Sequence, residues 1–275
     1  MGGRRSLQTE SGFTLIEMIV VIVIVGILAA LGGMFIVKPV TGYVDLARRT
    51  RLVDQAEMAL RRMQRDIRHA LPNSVRIDGT GRYLEMLNTV DGGRYRRYPD
   101  PNPGGDDILD FSSPDSSFDV LGDLSLAPNP GDSLVIYNVA STGSSGNAYD
   151  LTSNNRATVS GGSIASVGFA AFSFVNSSPR QRFFLVDQPV SYACEDSDGD
   201  GVLELNRYDG YAIQTAQPTA ALSGEDLVAQ GVSACSFSYD PGASQRAGLV
   251  TLELTLTEAG ESITLLHQVH VVNVP

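Results

Sequence analysis

A block of apolar residues near the N-terminus limits what this chain can fold into more than any other feature does. Residues 13–37 contain only one charged side chain, that of Glu17. As an α-helix this block is about 37 Å long at 1.5 Å per residue. That length exceeds the roughly 30 Å hydrocarbon core of a bilayer. The sequence therefore predicts a transmembrane helix, to which we assign residues 13–38.

The short polar segment before the block predicts its orientation. Residues 1–12 carry Arg4 and Arg5, and positive residues stay on the cytoplasmic side. Lys38, at the far end, is a weaker argument for the opposite orientation. A secretory signal has its small-residue cleavage site after the apolar run, whereas here the small residue Gly12 comes before it. Cleavage at Gly12 would remove the leader and keep the helix, so we expect a single-pass protein with a periplasmic head.

The sequence GFTLIE at residues 12–17 resembles the type III leader junction of type IV prepilins and type II secretion pseudopilins. The resemblance implies that a prepilin peptidase cuts between Gly12 and Phe13 and methylates the new amino group of Phe13. It also implies an inner-membrane protein that assembles with other pilins and pseudopilins through its N-terminal helix. An inner-membrane assembly platform is a further implied partner. The resemblance covers residues 1–40.

Glu17 also has a physical interpretation that is independent of any family. A carboxylate inside the bilayer costs about 2.5 kcal/mol or more, so an intramembrane acid indicates a function. We expect Glu17 to pair with the freed amine of Phe13 in a neighbouring subunit and so to set the axial register of a filament. The alternative is that Glu17, one turn into the helix, reaches the cytoplasmic interface.

The next segment, residues 39–71, predicts an amphipathic stalk helix. Pro39 is expected to kink the chain as it leaves the membrane, and Pro72 to end the helix. We expect the arginines of this segment either to meet acidic heads of adjacent subunits or to form a solvated face. The apolar residues recur at helical spacing and should pack on a sheet; they are Leu52, Ala56, Ala59, Leu60, Met63, Ile67 and Ala70.

Residues 72–275 change to the alternating pattern of β-strands, separated by clusters of Gly, Pro, Asn, Asp and Ser. The fold class is therefore α+β: a long N-terminal helix, half transmembrane and half amphipathic, packed on an antiparallel β-rich head, as in the type IV pilin fold. Residues 91–107 and 141–162 are expected to be loops. The predicted strands are 75–77, 83–87, 108–111, 134–139, 166–175, 182–186, 190–194, 202–208, 211–214 and 236–239, followed by a hairpin of 249–257 and 262–272.

Charge and cysteine content restrict the function of this head. Residues 70–275 hold 10 arginines and 25 acidic residues, a formal charge of −15. This balance excludes a nucleic-acid surface, because phosphate binding needs clustered cations. In an exported domain, Cys194 and Cys235 predict one disulfide. It would close a loop of about 42 residues, worth roughly 3–4 kcal/mol. Two separate buried thiols are the alternative.

An acidic segment beside the first cysteine has the D-x-D-x-D-G spacing of a calcium loop. Asp196, Asp198 and Asp200 are the candidate ligands, with Glu204 at the ninth position as a fourth. The twelfth position, which supplies a bidentate glutamate in such loops, is Arg207. The alternative is a solvated acidic turn. Calcium is the one cofactor that the sequence suggests.

Four segments of the head, residues 183–186, 190–194, 207–211 and 235–239, resemble the O-type minor pseudopilin of mannose-sensitive haemagglutinin (MSHA) pilus systems. This resemblance implies a minor pilin or pseudopilin that primes or caps pilus assembly. The alternatives are a minor pseudopilin of a type II secretion system and a tip adhesin that binds a surface ligand. Walker, G-x-G-x-x-G, G-x-S-x-G and H-E-x-x-H motifs do not occur in the sequence, so we expect no catalytic activity.

Overall fold

The computed structural model describes residues 12–99, 107–220, 222–242 and 247–275. One long helix, α1 (Leu15–His69), is followed by the strands of an antiparallel sheet. The chain divides after Thr50 into two compact units. The first unit contains the apolar part of α1, and the helix continues through Pro39 without a break in its assignment.

The second unit is the head, in which the last part of α1 packs on the sheet. The residues of the predicted stripe, from Leu52 to Ala70, are all 8% exposed or less. They form one apolar cluster with inward side chains of the sheet such as Leu205, Leu252 and Leu254. The 3.6-residue period of the stripe therefore identified the packing face correctly, and the predicted α+β class is confirmed.

The strands of the described residues form one sheet in which every neighbouring pair is antiparallel. Its main path runs β11-β10-β9-β8-β7-β4-β5-β6-β3, and β2 pairs with both β7 and β1. The bounds are β1 (Arg76–Ile77), β2 (Tyr83–Arg94), β3 (Asp115–Asp119), β4 (Ser133–Ile136), β5 (Arg156–Ser163), β6 (Ser166–Phe172), β7 (Arg182–Glu195), β8 (Leu203–Tyr208), β9 (Asp226–Asp240), β10 (Gly248–Glu258) and β11 (Glu261–Val271).

Strands β3 to β6 form a lobe inserted between two paired strands. β2 and β7 are antiparallel neighbours from Tyr83 opposite Ala193 to Arg94 opposite Arg182, and the lobe occupies the sequence between them. A second apolar cluster, rich in phenylalanine, packs this lobe on β7; it includes Phe118 and Phe169 of the lobe and Phe183 of β7. The head therefore has two main cores: one under α1, and one in the inserted lobe.

Several predicted strand boundaries are wrong. Residues 108–111 and 211–214 are not strands. β2 extends to Arg94, into the predicted loop at 91–107, and β5 begins inside the predicted loop at 141–162. Segments 182–186 and 190–194 are one strand, β7, despite Pro189. The partner on one edge of β7 changes from β4 to β8 around this proline, so a residue without an N–H is tolerated there.

The predicted C-terminal hairpin is confirmed. β10 and β11 pair over their whole length, with Glu258 opposite Glu261. The two turn residues, Ala259 and Gly260, both have positive φ, at 48° and 87°. This is the conformation of a two-residue type I′ turn, whose twist matches that of the flanking strands.

Candidate functional site

The N-terminus of α1 is capped by Thr14. The backbone N–H of Glu17 donates to Thr14 Oγ1 at 3.3 Å and to the Thr14 carbonyl at 3.1 Å. Thr14 and Glu17 thus have the spacing of a capping box, in which a hydroxyl satisfies a free N–H of the first turn. This role of Thr14 is not among the predictions above, although the T-x-x-E spacing of a capping box is present in the sequence.

The carboxylate of Glu17 has no hydrogen-bond or ion-pair partner among the residues that the structure describes. Glu17 is exposed, as is Phe13 at 77%. The apolar stretch Leu15–Gly33 is long enough to cross a membrane, and no part of it is buried by the chain itself. Within its own unit, this surface is left for lipid or for other helices to cover.

The arginines of the stalk segment have partners that the sequence analysis did not anticipate. Arg51 pairs with Glu258 at the end of β10, and Arg62 pairs with Asp226 at the start of β9. Both acids belong to the same head, not to a neighbouring subunit. Arg61 pairs with Glu57 one turn earlier on α1. These are exposed pairs, which typically contribute 0–1 kcal/mol.

A more buried ionic contact joins α1 to the middle of the sheet. Asp66 Oδ2 accepts from Arg207 Nε on β8 and from the Tyr192 hydroxyl on β7, both at 2.8 Å. Burial and the adjacent Asp66 raise the pKa of Tyr192 well above its usual value. Burial acts to lower the pKa of Arg207, but hydrogen bonds to Asp66 and Asp209 outweigh it and raise that pKa. The contact therefore fixes the helix on the sheet with its charges compensated.

A second ion pair is almost fully buried. Arg76 Nε donates to Glu85 Oε2 at 2.5 Å, and the side chains are 6% and 0% exposed. The guanidinium also lies 3.6 Å from the Tyr149 ring centroid and donates to the Thr215 carbonyl at 2.7 Å. Burial raises the pKa of Glu85, whereas the bond from Arg76 acts to lower it. The pair holds the non-strand segment around Thr215 against the sheet, which is a structural role.

The structure joins Cys194 on β7 to Cys235 on β9 in a disulfide, with a Cα–Cα distance of 6.5 Å. No free cysteine is left. The crosslink connects strands separated by β8, at the edge of the cluster under α1. The predicted pairing is therefore the one the structure contains.

The acidic loop brings together three of its four predicted ligands. One carboxylate oxygen each from Asp196, Asp198 and Glu204 lies within 4.8 Å of the others, whereas Asp200 is outside this group. The side chain at the twelfth position, Arg207, is engaged by Asp66 and Asp209 and does not extend the set.

Hydrogen bonds within the loop use the same carboxylates. Asp196 accepts from the backbone N–H groups of Gly199 and Gly201 at 2.7 and 2.9 Å, and Glu204 accepts from that of Ser197 at 3.1 Å. Calcium requires six to eight oxygen ligands. Three carboxylates already bonded to their own loop are a partial set, and calcium binding here remains a prediction.

Comparison with known proteins addresses the N-terminal segment. Residues 7–33 match the family model of the prokaryotic N-terminal methylation motif. No curated protein and no solved structure matches the chain. The motif coincides with the exposed apolar start of α1. The chain is a type IV pilin-like protein.

The motif implies that this pilin-like protein is processed by prepilin peptidase and assembles with other pilins. Its single N-terminal apolar helix is consistent with a membrane-anchored pilin whose head lies outside the cytoplasm. Pilins are generally non-catalytic structural proteins. The roles of Gly12, Phe13 and Glu17 remain predictions.

Proposed function

We propose that this pilin-like protein is a minor subunit that primes or caps a type IV pilus of the MSHA type, without catalytic activity. The observation that carries the proposal is the combination of the methylation motif with an anchor helix whose apolar surface is uncovered over Leu15–Gly33. Such a surface is stable in lipid before assembly and against other pilin helices afterwards.

The proposal divides the chain into four functional segments. Residues 1–12 are the leader, residues 13–38 the transmembrane helix, residues 39–71 the stalk helix and residues 72–275 the head. Cleavage after Gly12 frees the amine of Phe13. The carboxylate of Glu17, which has no partner among the described residues, then pairs with the Phe13 amine of the next subunit.

The size of the head supports a minor rather than a bulk role. The lobe of β3 to β6 is inserted between β2 and β7, which are paired neighbours, so it adds to the sheet without being needed to connect it. A filament built from many copies must fit every head into its repeat. A subunit at the end of a filament has more room for such an insertion.

Intact mass spectrometry of the chain from membranes tests the processing step. In cells with prepilin peptidase, we expect loss of residues 1–12 and a gain of one methyl group on Phe13; in cells without it, the chain stays uncut. Gly12→Leu should also stay uncut, whereas Gly26→Ala, a matched change within the apolar helix, should be processed normally. An uncut wild-type chain in both strains, or a cut after residue 37, contradicts the proposal.

The assembly role has its own test. Electron microscopy should show far fewer filaments in a deletion strain, restored by the wild-type gene, and immunolabelling should place the head at filament ends. Normal filament number in the deletion strain, or labelling along the whole length, contradicts a priming or capping role while leaving the processing result intact.

A further inference from the structure

A groove of about 530 Å³ lies where the end of α1 meets the ends of β2 and β7. Its basic side chains are Arg68 and His69 of α1, Arg94 of β2 and Arg182 of β7. We call it the arginine groove. It is an exception in a region where acids outnumber arginines by 25 to 10. Its volume is within the range of small-ligand sites.

Two of these arginines face each other directly. Arg94 and Arg182 are register partners in the antiparallel β2–β7 pair. Directly opposite residues in such a pair have Cβ atoms about 4.5–5.5 Å apart, and like charges at these positions destabilise the sheet. The β2–β7 pairing thus ends in two like charges at directly opposite positions.

The described residues supply no carboxylate to neutralise the pair. Arg182 Nη1 donates to the Val274 carbonyl at 3.4 Å, and no described acid forms an ion pair with Arg94 or Arg182. The groove contains one acid, Asp91, whose carboxylate accepts from the backbone N–H groups of Gly92 and Ser125, both at 2.7 Å. Within the described residues, Asp91 is thus bonded to backbone N–H groups and forms no ion pair with Arg94 or Arg182.

The end of the helix does not explain the strand pair. Cations in the last turn interact favourably with the negative end of the helix dipole, which accounts for Arg68 and His69. Arg94 and Arg182 belong to strands and have no such role. Two guanidinium groups carried at directly opposite strand positions are the donor set of an oxyanion site.

We propose that the arginine groove binds the oxyanion group of a small ligand, a carboxylate, phosphate or sulfate, between Arg94 and Arg182. An anion there would turn the repulsion into two charge-assisted contacts. Arg68 adds a further positive charge to the lining of the groove. The site does not depend on the pilin assembly proposed above, since all of its residues lie in the compact unit Arg51–Pro275.

Calorimetric titration of the full chain in non-ionic detergent tests this site. The probes are inorganic phosphate, sulfate and galacturonate, with chloride and uncharged galactose as references at matched ionic strength. We expect saturable binding of at least one oxyanion and none of galactose. The ranking separates the sources: tightest binding of galacturonate indicates an acidic sugar, and tightest binding of phosphate or sulfate indicates an ester group.

Variants separate a binding role from a structural one. Arg94→Gln and Arg182→Gln should each weaken binding by about tenfold or more. In the absence of oxyanion, Arg94→Gln should also have a higher melting temperature than the wild type, because the repulsion is relieved. Adding oxyanion should raise the melting temperature of the wild type but not that of Arg94→Gln. Arg65→Gln, an exposed arginine of α1 outside the groove, should match the wild type in both measurements. No saturable binding of any probe, or unchanged binding by both groove variants, overturns the proposal.

Discussion

At the scale of single residues, Glu17 is the side chain whose environment most needs a partner from outside the chain. Its backbone N–H is satisfied by Thr14, but its carboxylate is not bonded within the described chain. We expect Glu17→Gln to be cleaved and methylated like the wild type, yet to be nearly absent from filaments, because a neutral amide cannot neutralise the Phe13 amine of a neighbour inside an apolar helix bundle. Immunoblots of sheared filaments and of membranes measure the two outcomes.

The leader offers a matched control for this variant. Glu10→Gln makes the same chemical change, but Glu10 precedes the proposed cleavage point after Gly12 and would be removed with the leader. Its mature product is identical to the wild type and should enter filaments fully. Equal incorporation of Glu17→Gln and wild type into filaments would mean that Glu17 does not set the register. The residue would then serve only the capping box that it forms with Thr14.

At the scale of elements, the joint between α1 and the sheet depends on apolar burial and on one ionic contact. Asp66 bonds both Arg207 and Tyr192, and its side chain is 27% exposed. We expect Asp66→Asn to lower the free energy of unfolding by about 1–3 kcal/mol, because it weakens two hydrogen bonds to partly buried groups. Glu57→Gln, which breaks only the exposed pair with Arg61, should cost less than about 0.5 kcal/mol. Chemical denaturation followed by circular dichroism measures both, and equal losses would contradict a special role for Asp66.

The sequence predicted these elements unequally, for physical reasons. The stripe from Leu52 to Ala70 was predictable because burial on a helix repeats every 3.6 residues within one segment. Strand β5 was not predictable in this way, because its sequence is polar and rich in glycine. It forms a strand because β4 and β6 pair with it. The partner of Arg207 was also out of reach, because Asp66 lies 141 positions away. From the neighbouring sequence alone, Arg207 could be recognised only as a departure from the calcium-loop pattern, which has glutamate at that position.

At the scale of the whole head, buried and half-buried tyrosine hydroxyls link the sheet to surrounding segments. Tyr192 bonds Asp66 on the α1 side, and Tyr211 bonds Glu85 at 3.0 Å from a segment outside the strands. Tyr83 and Tyr208 both bond Glu195, at 2.9 and 2.6 Å. Burial and these nearby acids raise the pKa of each phenol, that of Tyr83 to about 12. The folded head therefore holds these tyrosines in their neutral form.

This arrangement predicts how stability depends on pH in alkaline solution. Tyrosines of the unfolded chain ionise near pH 10, whereas in the folded head their pKa values are raised, so above about pH 10 the unfolded state binds fewer protons. Their contribution is complete below pH 10 and is lost as pH rises towards the folded values, by up to about 1.4 kcal/mol per pH unit for each phenol. Denaturation between pH 8 and about pH 12, with tyrosinate absorbance as the second signal, should show this decline in the free energy of unfolding.

Two variants test whether Tyr83 contributes to the decline. Tyr83→Phe should make the decline shallower, whereas Tyr98→Phe, at a residue 70% exposed, should leave it unchanged. Equal slopes for the two variants would mean that the bond from Tyr83 to Glu195 does not hold that phenol neutral.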